Sequence, residues 1–145
     1  TENNIILKKM GVKKIYSLKN FLKTPNFALL NEKYSAVFEN LGGDVMSICL
    51  KYLIKKGILI SIGNILGNIS NINILPLILR EVSILSVNAE CSSKKERISI
   101  LNNFKSRKLR RKLLKRTKVI NVKEVSKIMK LKSYNKKAFR YVVKI

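Results

Sequence analysis

The residues of this sequence that could do chemistry are its lysines and arginines. The chain of 145 residues carries 31 of them against 8 acidic residues, with no histidine, for a formal net charge of +23 at pH 7. Residues 91–145 hold 20 of these bases against two acids, whereas residues 34–90 hold four of each. Such a charge exceeds what solubility requires, and it favours a polyanionic partner.

The bases expected to contact phosphates lie in three stretches: a basic arm at the start, the residues from 94 to 118, and the tail. They are Lys8, Lys9, Lys13, Lys14, Lys94, Lys95, Arg97, Arg107, Lys108, Arg110, Arg111, Lys112, Lys115, Arg116, Lys136, Lys137 and Arg140. Leu109 and Leu113 would lie on one stripe of a helix, which leaves the bases of this segment on the other faces. Bases four residues apart on those faces would repel one another. Phosphates would relieve that repulsion and release counterions, which predicts a nucleic-acid-binding surface.

Catalytic and metal-binding chemistry has few candidates. The acids are scattered, histidine is absent, and neither a Walker-type nor a dinucleotide-type glycine loop is present. Cys49 and Cys91 are too far apart in sequence to form a metal-ligand motif, and two isolated cysteines favour reduced thiols. We therefore predict no enzymatic activity, no cofactor and no metal site.

Apolar spacing in the middle of the chain predicts helices. One apolar face would contain Leu30, Tyr34, Val37, Phe38 and Leu41. Asp44 is a good N-cap for a second helix that would end near Gly57. Residues 57–79 carry no charge, so a transmembrane helix is one reading. Four asparagines and Pro76 argue against it, and a buried helix over residues 58–69 is the alternative.

The second half of the chain contains different signals. Residues 77–90 are rich in branched aliphatic side chains and predict a short hairpin or extended ribbon. Ser93 with Glu96, and Asn121 with Glu124, have the spacing of capping boxes, so a helix should begin at each pair. The second of these helices is expected to end near Lys132.

Together these elements predict a mainly α fold, a bundle of about five or six helices with one short β-hairpin or extended ribbon. The length predicts a single domain over residues 1–145. Within it we expect a basic N-terminal arm at 1–24, a neutral helical core at 25–76, a hairpin at 77–91, and basic C-terminal helices with a tail at 92–145.

The C-terminal residues add a resemblance. Residues 122–129, followed by the stretch from Asn135 to Tyr141, resemble the closing segment of the small-subunit ribosomal protein seven family. Residues 50–57 resemble that family's helix ending in a Lys-Gly turn, and residues 90–97 lie where its hairpin returns into a basic helix. Two departures are the additional Lys137 and the absence of the Gly-Gly hairpin tip.

The resemblance implies a structural constituent of the small ribosomal subunit that binds the 3′ major domain of its rRNA. Such a protein helps assemble the subunit head, with its hairpin near the mRNA exit and the E site. Lys94, Lys95, Arg97, Lys123 and Arg140 would be rRNA contacts. The implied partners are small-subunit rRNA, neighbouring ribosomal proteins of the head and platform, and mRNA near the exit, with no membrane.

Composition suggests where such a ribosome would be. Lys, Ile and Asn make up 58 of the 145 residues, as an AT-rich genome would impose. This favours an organellar ribosome, mitochondrial first and plastid as the alternative.

Two other functions remain open at this point. The uncharged stretch would suit a membrane subunit of an organellar complex, and the basic flanks would suit an architectural DNA-binding protein.

Overall fold

The computed structural model describes residues 2–88, 90–103, 111, 117–130 and 140–144. Contacts within the chain divide it into two compact units. The central unit is Tyr16–Ser92, and the terminal unit is Thr1–Ile15 together with Ser93–Ile145. The single domain expected over residues 1–145 stays a prediction.

Helices and strands alternate along the described residues. In chain order they are α1 (Glu2–Lys9), α2 (Leu18–Phe21), β1 (Tyr34–Glu39), α3 (Gly43–Lys51), β2 (Leu53–Ser61), α4 (Leu75–Arg80), β3 (Ser83–Ser86), α5 (Lys94–Asn103), β4 (Thr117–Asn121), α6 (Val122–Lys130) and β5 (Arg140–Lys144). The fold is therefore α/β, and the predicted mainly α bundle is wrong.

Three parallel strands form the sheet of the central unit, in the order β1-β2-β3. Phe38 of β1 is paired with Ile60 of β2, and Ile60 is paired in turn with Leu85 of β3. Parallel neighbours need a crossover connection. The segment containing α3 supplies it between β1 and β2, and the segment containing α4 supplies it between β2 and β3.

The core of the central unit brings α3 together with β2 and the residue before β3. Its buried members are Leu50, Leu53, Leu59 and Val82, and partly buried side chains pack around them: Val37, Met46, Cys49, Ile72, Leu77 and Ile84. Val45 and Ile48 of α3 are buried too, at the i,i+3 spacing of one helix face. Burying one such side chain contributes about 1.5–3 kcal/mol, so these few residues supply much of the apolar stabilisation.

Arg80, the last residue of α4, joins three segments of the central unit. Its Nη1 donates to the carbonyl oxygens of Lys51 and Leu53, each at 2.9 Å. Its Nη2 donates to the carbonyl of Leu30 at 2.6 Å, and its Nε lies 3.4 Å from a carboxylate oxygen of Glu32. The end of α3, the start of β2 and the segment before β1 are thus tied to one guanidinium.

The terminal unit contains a second parallel pair. Thr117 of β4 is paired with Arg140 of β5, and Asn121 with Lys144. Helix α6 follows β4 directly and contacts both strands. The C-terminal tail, for which no helix or strand was expected, forms a strand over its described residues Arg140–Lys144.

The capping box predicted at Ser93 is confirmed in the terminal unit, and one of the two hydrogen bonds of the box predicted at Asn121 is formed. The Ser93 amide donates to the Glu96 carboxylate at 2.7 Å, and the Glu96 amide donates to the Ser93 hydroxyl at 3.2 Å. These hydrogen bonds lower the pKa of Glu96. The Asn121 amide donates to Glu124 at 2.8 Å, and the helix that follows is described from Val122 to Lys130. Its expected end near Lys132 lies outside the described residues.

Three predictions for the middle of the chain are wrong. Residues 34–39 form β1 where a helix over residues 30–41 was expected. The expected buried helix at 58–69 is the second half of β2 and a loop. The expected hairpin at 77–91 is the end of α4 followed by β3, which pairs with β2 in parallel. Parallel strands read as short apolar runs, and periodicity does not separate such runs from buried helices.

Among the described residues, no helix has the length and apolar character needed to cross a bilayer. The uncharged stretch of residues 57–79 instead forms the later part of β2, a loop and most of α4. The alternative of a membrane subunit, which depended on a helix there, is not supported.

Replacing Arg80 by lysine should destabilise the chain by about 3 kcal/mol, because one ammonium cannot reproduce a planar fork that donates to three carbonyls. Urea denaturation followed by circular dichroism measures the change. Lys55→Met is the matched control: it breaks the exposed pair with Glu81 at 3.2 Å and should cost less than about 1 kcal/mol. Equal effects of the two substitutions would contradict the role given to Arg80.

Candidate functional site

The carboxyl ends of β1, β2 and β3 lie at one edge of the central sheet, because the three strands are parallel. Each continues into a loop there: residues 40–42 after β1, residues 62–74 after β2 and residues 87–88 after β3. In open α/β sheets, ligands bind in the crevice outside the carboxyl ends of the strands. This edge, called the carboxyl edge below, is the candidate site.

Backbone hydrogen bonds hold the loops of the carboxyl edge against one another. The amide of Ile62 donates to the carbonyl of Glu39 at 2.7 Å, and the amide of Leu66 donates to that of Leu41 at 2.6 Å. On the other side, the amide of Val87 donates to the carbonyl of Ser61 at 3.0 Å. The strand pairing therefore extends beyond the sheet, which leaves the edge with a defined backbone surface.

Glu39, the last residue of β1, organises the first loop. Its side chain is only 3% exposed, and its Oε1 accepts hydrogen bonds from the amides of Leu41 at 2.5 Å and Gly42 at 2.8 Å. Its Oε2 is buried and has no hydrogen-bond partner among the described residues. One carboxylate oxygen thus fixes the turn into α3, while the other leaves an acceptor at the edge unsatisfied.

Glycines allow the loops of the carboxyl edge to approach closely. Gly42 has a φ of +69° and forms an isolated parallel bridge with Gly67, and a Cβ at Gly42 would overlap the Gly67 carbonyl oxygen. A Cβ at Gly63 would lie 3.0 Å from the carbonyl oxygen of Asn40. Larger residues at positions 42 and 63 would therefore push the first two loops apart.

The polar side chains of the carboxyl edge are mainly amides. Exposed asparagines stand on all three loops: Asn40 after β1, Asn64 and Asn68 after β2, and Asn88 after β3. Asn64 donates to Asn68, and the loop from 62 to 74 carries no charged residue. Such an edge suits hydrogen bonding to hydroxyl and amide groups better than neutralising phosphates.

Cys49 in α3 is a nucleophile by residue type, but its surroundings suppress it. Burial raises the pKa of the Cys49 thiol to about 11, with a further contribution from the Glu39 carboxylate. The reactive form of cysteine is the thiolate. Cys49 therefore packs as a small apolar residue, in agreement with its partial burial against the core.

The described bases that were predicted as phosphate contacts belong to the terminal unit. Lys8 and Lys9 are in the last turn of α1, and Lys13 and Lys14 follow it as exposed residues. Others are exposed on later elements: Lys94, Lys95 and Arg97 on α5, Lys123 on α6 and Arg140 at the start of β5.

The remaining predicted contacts have little or no structural description. Arg111 is helical and exposed. Eight bases lie outside the described residues: Arg107, Lys108, Arg110, Lys112, Lys115, Arg116, Lys136 and Lys137. That any of these predicted bases binds a polyanion stays a prediction.

Comparison with solved structures matches the chain to nicotinamide dinucleotide complexes. Against Bacillus subtilis protein YhfP with NAD bound, the TM-score is 0.87 at 20% identity, covering 100% of this chain and 44% of that one. The YhdH oxidoreductase of Salmonella enterica with NADP gives 0.82 at 19% identity, covering 99% and 44%. Against Escherichia coli K-12 YhdH with NADPH, the TM-score is 0.79 at 18% identity, covering 97% of this chain and 43% of that one.

The chain shares the fold of part of these proteins. It spans less than half of the length of each, and at this level of identity the matches establish the fold alone. No protein-family model matches the chain, and no curated protein sequence does either.

These matches overturn the ribosomal interpretation. The neighbours are dinucleotide-bound proteins and oxidoreductases, so the resemblance to small-subunit ribosomal protein seven is wrong, and with it the role in translation and the partners rRNA, ribosomal proteins and mRNA. The architectural DNA-binding alternative is not supported, and the prediction that the chain has no enzymatic role is wrong too. The organellar location stays a prediction.

Sequence reasoning missed the carboxyl edge because it searched for charged groups. Signals for the edge were present: a strand-like run ending at Phe38, shortly before Gly42, and an apolar run ending at Ile62 before Gly63. Apolar runs of four to eight residues that end at glycine, with a helical pattern between them, are typical of βαβ units. The first run was instead assigned to a helix.

Gly42→Ala should destabilise the chain by about 3 kcal/mol or more, since a positive φ and a steric overlap act together. Gly11→Ala is the matched control. Gly11 has a φ of +101°, yet nothing lies within 4 Å of a Cβ built there, so only about 1 kcal/mol should be lost. Urea denaturation of both variants separates the two terms, and equal losses would show that the loops do not pack as described.

Cys49 should react with iodoacetamide at pH 8 about 100-fold more slowly than an ordinary thiol, because its raised pKa leaves little thiolate. The exposed Cys91 is the internal comparison and should be labelled first. Peptide mass spectrometry over time follows both sites. In denaturant the two rates should converge, and fast labelling of Cys49 in the folded chain would contradict its burial.

Proposed function

We propose that this chain forms the half of a nicotinamide dinucleotide-binding domain that holds the nicotinamide mononucleotide, within an NAD(P)-dependent oxidoreductase. Such domains consist of two βαβαβ halves, each of which binds one mononucleotide at the carboxyl ends of its strands. The central unit is one β-α-β-α-β succession with its strands in sequential order. The observation that carries the proposal is the structural similarity of the full chain to a protein with NAD bound.

The glycines decide which half is proposed. The half that binds the pyrophosphate carries a Gly-x-Gly-x-x-Gly turn at the start of a helix. The six glycines of this sequence are at positions 11, 42, 43, 57, 63 and 67, and none of them forms that pattern. The first turn of α3 carries Asp44, which would disfavour a phosphate there. The pyrophosphate loop is therefore not assigned to these residues.

The donor set of the carboxyl edge fits the nicotinamide half. A carboxamide and ribose hydroxyls both donate and accept hydrogen bonds, and the exposed amides of Asn40, Asn64 and Asn88 do the same. At Gly42 and Gly63, where the backbones of the loops approach closely, no side chain occupies the edge. When bound, a nicotinamide ring supplies hydride transfer. The residues of this chain would orient the mononucleotide and hold it at the edge.

Two mononucleotides with matched phosphates test the proposal. The chain should bind nicotinamide mononucleotide with a roughly millimolar Kd and AMP at least about fivefold more weakly, as two small ligands of unequal fit would. Chemical-shift perturbation of the chain in 0.15 M salt measures both, and the shared phosphate cancels non-specific attraction to the basic residues. Equal affinities, or tighter binding of AMP, would overturn the assignment of the half.

A pair of substitutions locates the binding. Asn40→Leu removes an exposed amide from the carboxyl edge and should weaken binding of nicotinamide mononucleotide about threefold or more, the loss of one modest hydrogen bond. Asn102→Leu makes the same change on the exposed surface of α5 and should leave the affinity unchanged. Equal loss in both variants would place the ligand elsewhere.

A further inference from the structure

The opposite, amino-terminal end of the central sheet contains a cavity of about 180 Å³. Tyr34 is the first residue of β1 and Tyr52 immediately precedes β2. With Tyr16 and Phe21 they line this cavity, and Lys33 lies at it too. We call it the tyrosine cavity. Its position at the start of the strands separates it from the carboxyl edge, where the strands end.

Aromatic rings form the walls of the tyrosine cavity. The ring centroids of Phe21 and Tyr52 are 6.4 Å apart with planes inclined at 34°. Those of Tyr34 and Tyr52 are 6.2 Å apart at 71°, an edge-to-face pair. Rings inclined in this way offer a face and an edge to a third ring, the two arrangements that aromatic groups prefer. The walls therefore suit a flat aromatic guest.

The polar groups of the cavity suit a negative charge. The Lys33 ammonium lies 4.6 Å from the centroid of the Tyr52 ring, and no lining residue is acidic. The nearby carboxylate of Glu32 is engaged by Arg80 at 3.4 Å. Burial, followed by the charge and hydrogen bond of Tyr16, raises the pKa of Tyr34.

Size limits the guest further. A dry cavity of roughly 150 Å³ accommodates benzene, and pockets for drug-sized ligands are roughly 300 Å³ or larger. The tyrosine cavity therefore has room for one ring with a small substituent. A cationic guest is disfavoured because the Lys33 ammonium already lies over one face of the Tyr52 ring, and Lys19 and Lys23 add positive charge to the neighbouring segment.

We propose that the tyrosine cavity binds a small planar aromatic carboxylate, whose ring packs against Phe21 and Tyr52 while its carboxylate pairs with Lys33. The site is independent of dinucleotide binding. It gives the chain a second ligand class, at the end of the sheet away from the carboxyl edge.

Benzoate, benzamide and benzylamine test the proposal, since they share a ring and differ in charge. Isothermal titration of the full chain, without any nucleotide, should give a Kd for benzoate about fivefold lower than for benzamide, with benzylamine the weakest. Lys33→Met keeps most of the apolar stem and removes the charge, so it should bring benzoate to the affinity of benzamide and leave benzamide unchanged. Lys13→Met, an exposed lysine of the terminal unit, is the control and should change neither.

The ring contacts need a separate variant. Tyr16 is 56% exposed, so Tyr16→Ala should leave the fold intact and weaken benzoate and benzamide alike by about threefold. Three outcomes would overturn the proposal: no preference for benzoate over benzamide, equal loss in Lys33→Met and Lys13→Met, or unchanged affinity of both probes in Tyr16→Ala. Failure of nicotinamide mononucleotide to bind would leave the proposal unaffected, because these titrations contain no nucleotide.

Discussion

The guanidinium of Arg80 is the interaction on which the geometry of the central unit depends. It collects carbonyl oxygens from the segment before β1, from the end of α3 and from the start of β2. A planar guanidinium holds several donors in fixed directions and so satisfies acceptors from three segments at once. Charged hydrogen bonds contribute about 1.5–3 kcal/mol each, a large share of a typical net stability of about 5–15 kcal/mol. Fixing the start of the strands fixes their register, and the register sets which residues reach the carboxyl edge.

The opposite end of the sheet is held by a second polar group, the Glu39 carboxylate. Its two hydrogen bonds to the amides of Leu41 and Gly42 set the turn into α3, and Gly42 then contacts Gly67 in the loop after β2. The described residues include six buried hydrophobic side chains in the core. Because this core is small, the hydrogen bonds of Arg80 and Glu39 at the two ends of the sheet contribute more to holding the loops of the site in place.

What the sequence predicted well was local chemistry. The capping hydrogen bonds at Ser93 and Asn121 were found because side chain and backbone three residues apart satisfy each other whatever the rest of the chain does. Strand β1 was not found, because its pairing with β2 is a long-range contact that leaves no periodicity in six residues. Net charge bears on association and solubility, not on fold, so the basic flanks could not distinguish an α/β fold from a helical bundle.

The edge of β1 links the fold to the proposed function. Within the described residues β1 pairs only with β2, and Phe38 on it is 73% exposed. An apolar strand edge of this kind is a surface for pairing with a further strand. In a sheet made of two mononucleotide-binding halves, the first strand of the second half is the one that meets the other half, and the dinucleotide crevice opens where the strand order reverses. The loop that Glu39 and Gly42 shape would then lie at that reversal. The proposal therefore requires β1 to pair with a partner strand along its free side and to border the ligand at its carboxyl end.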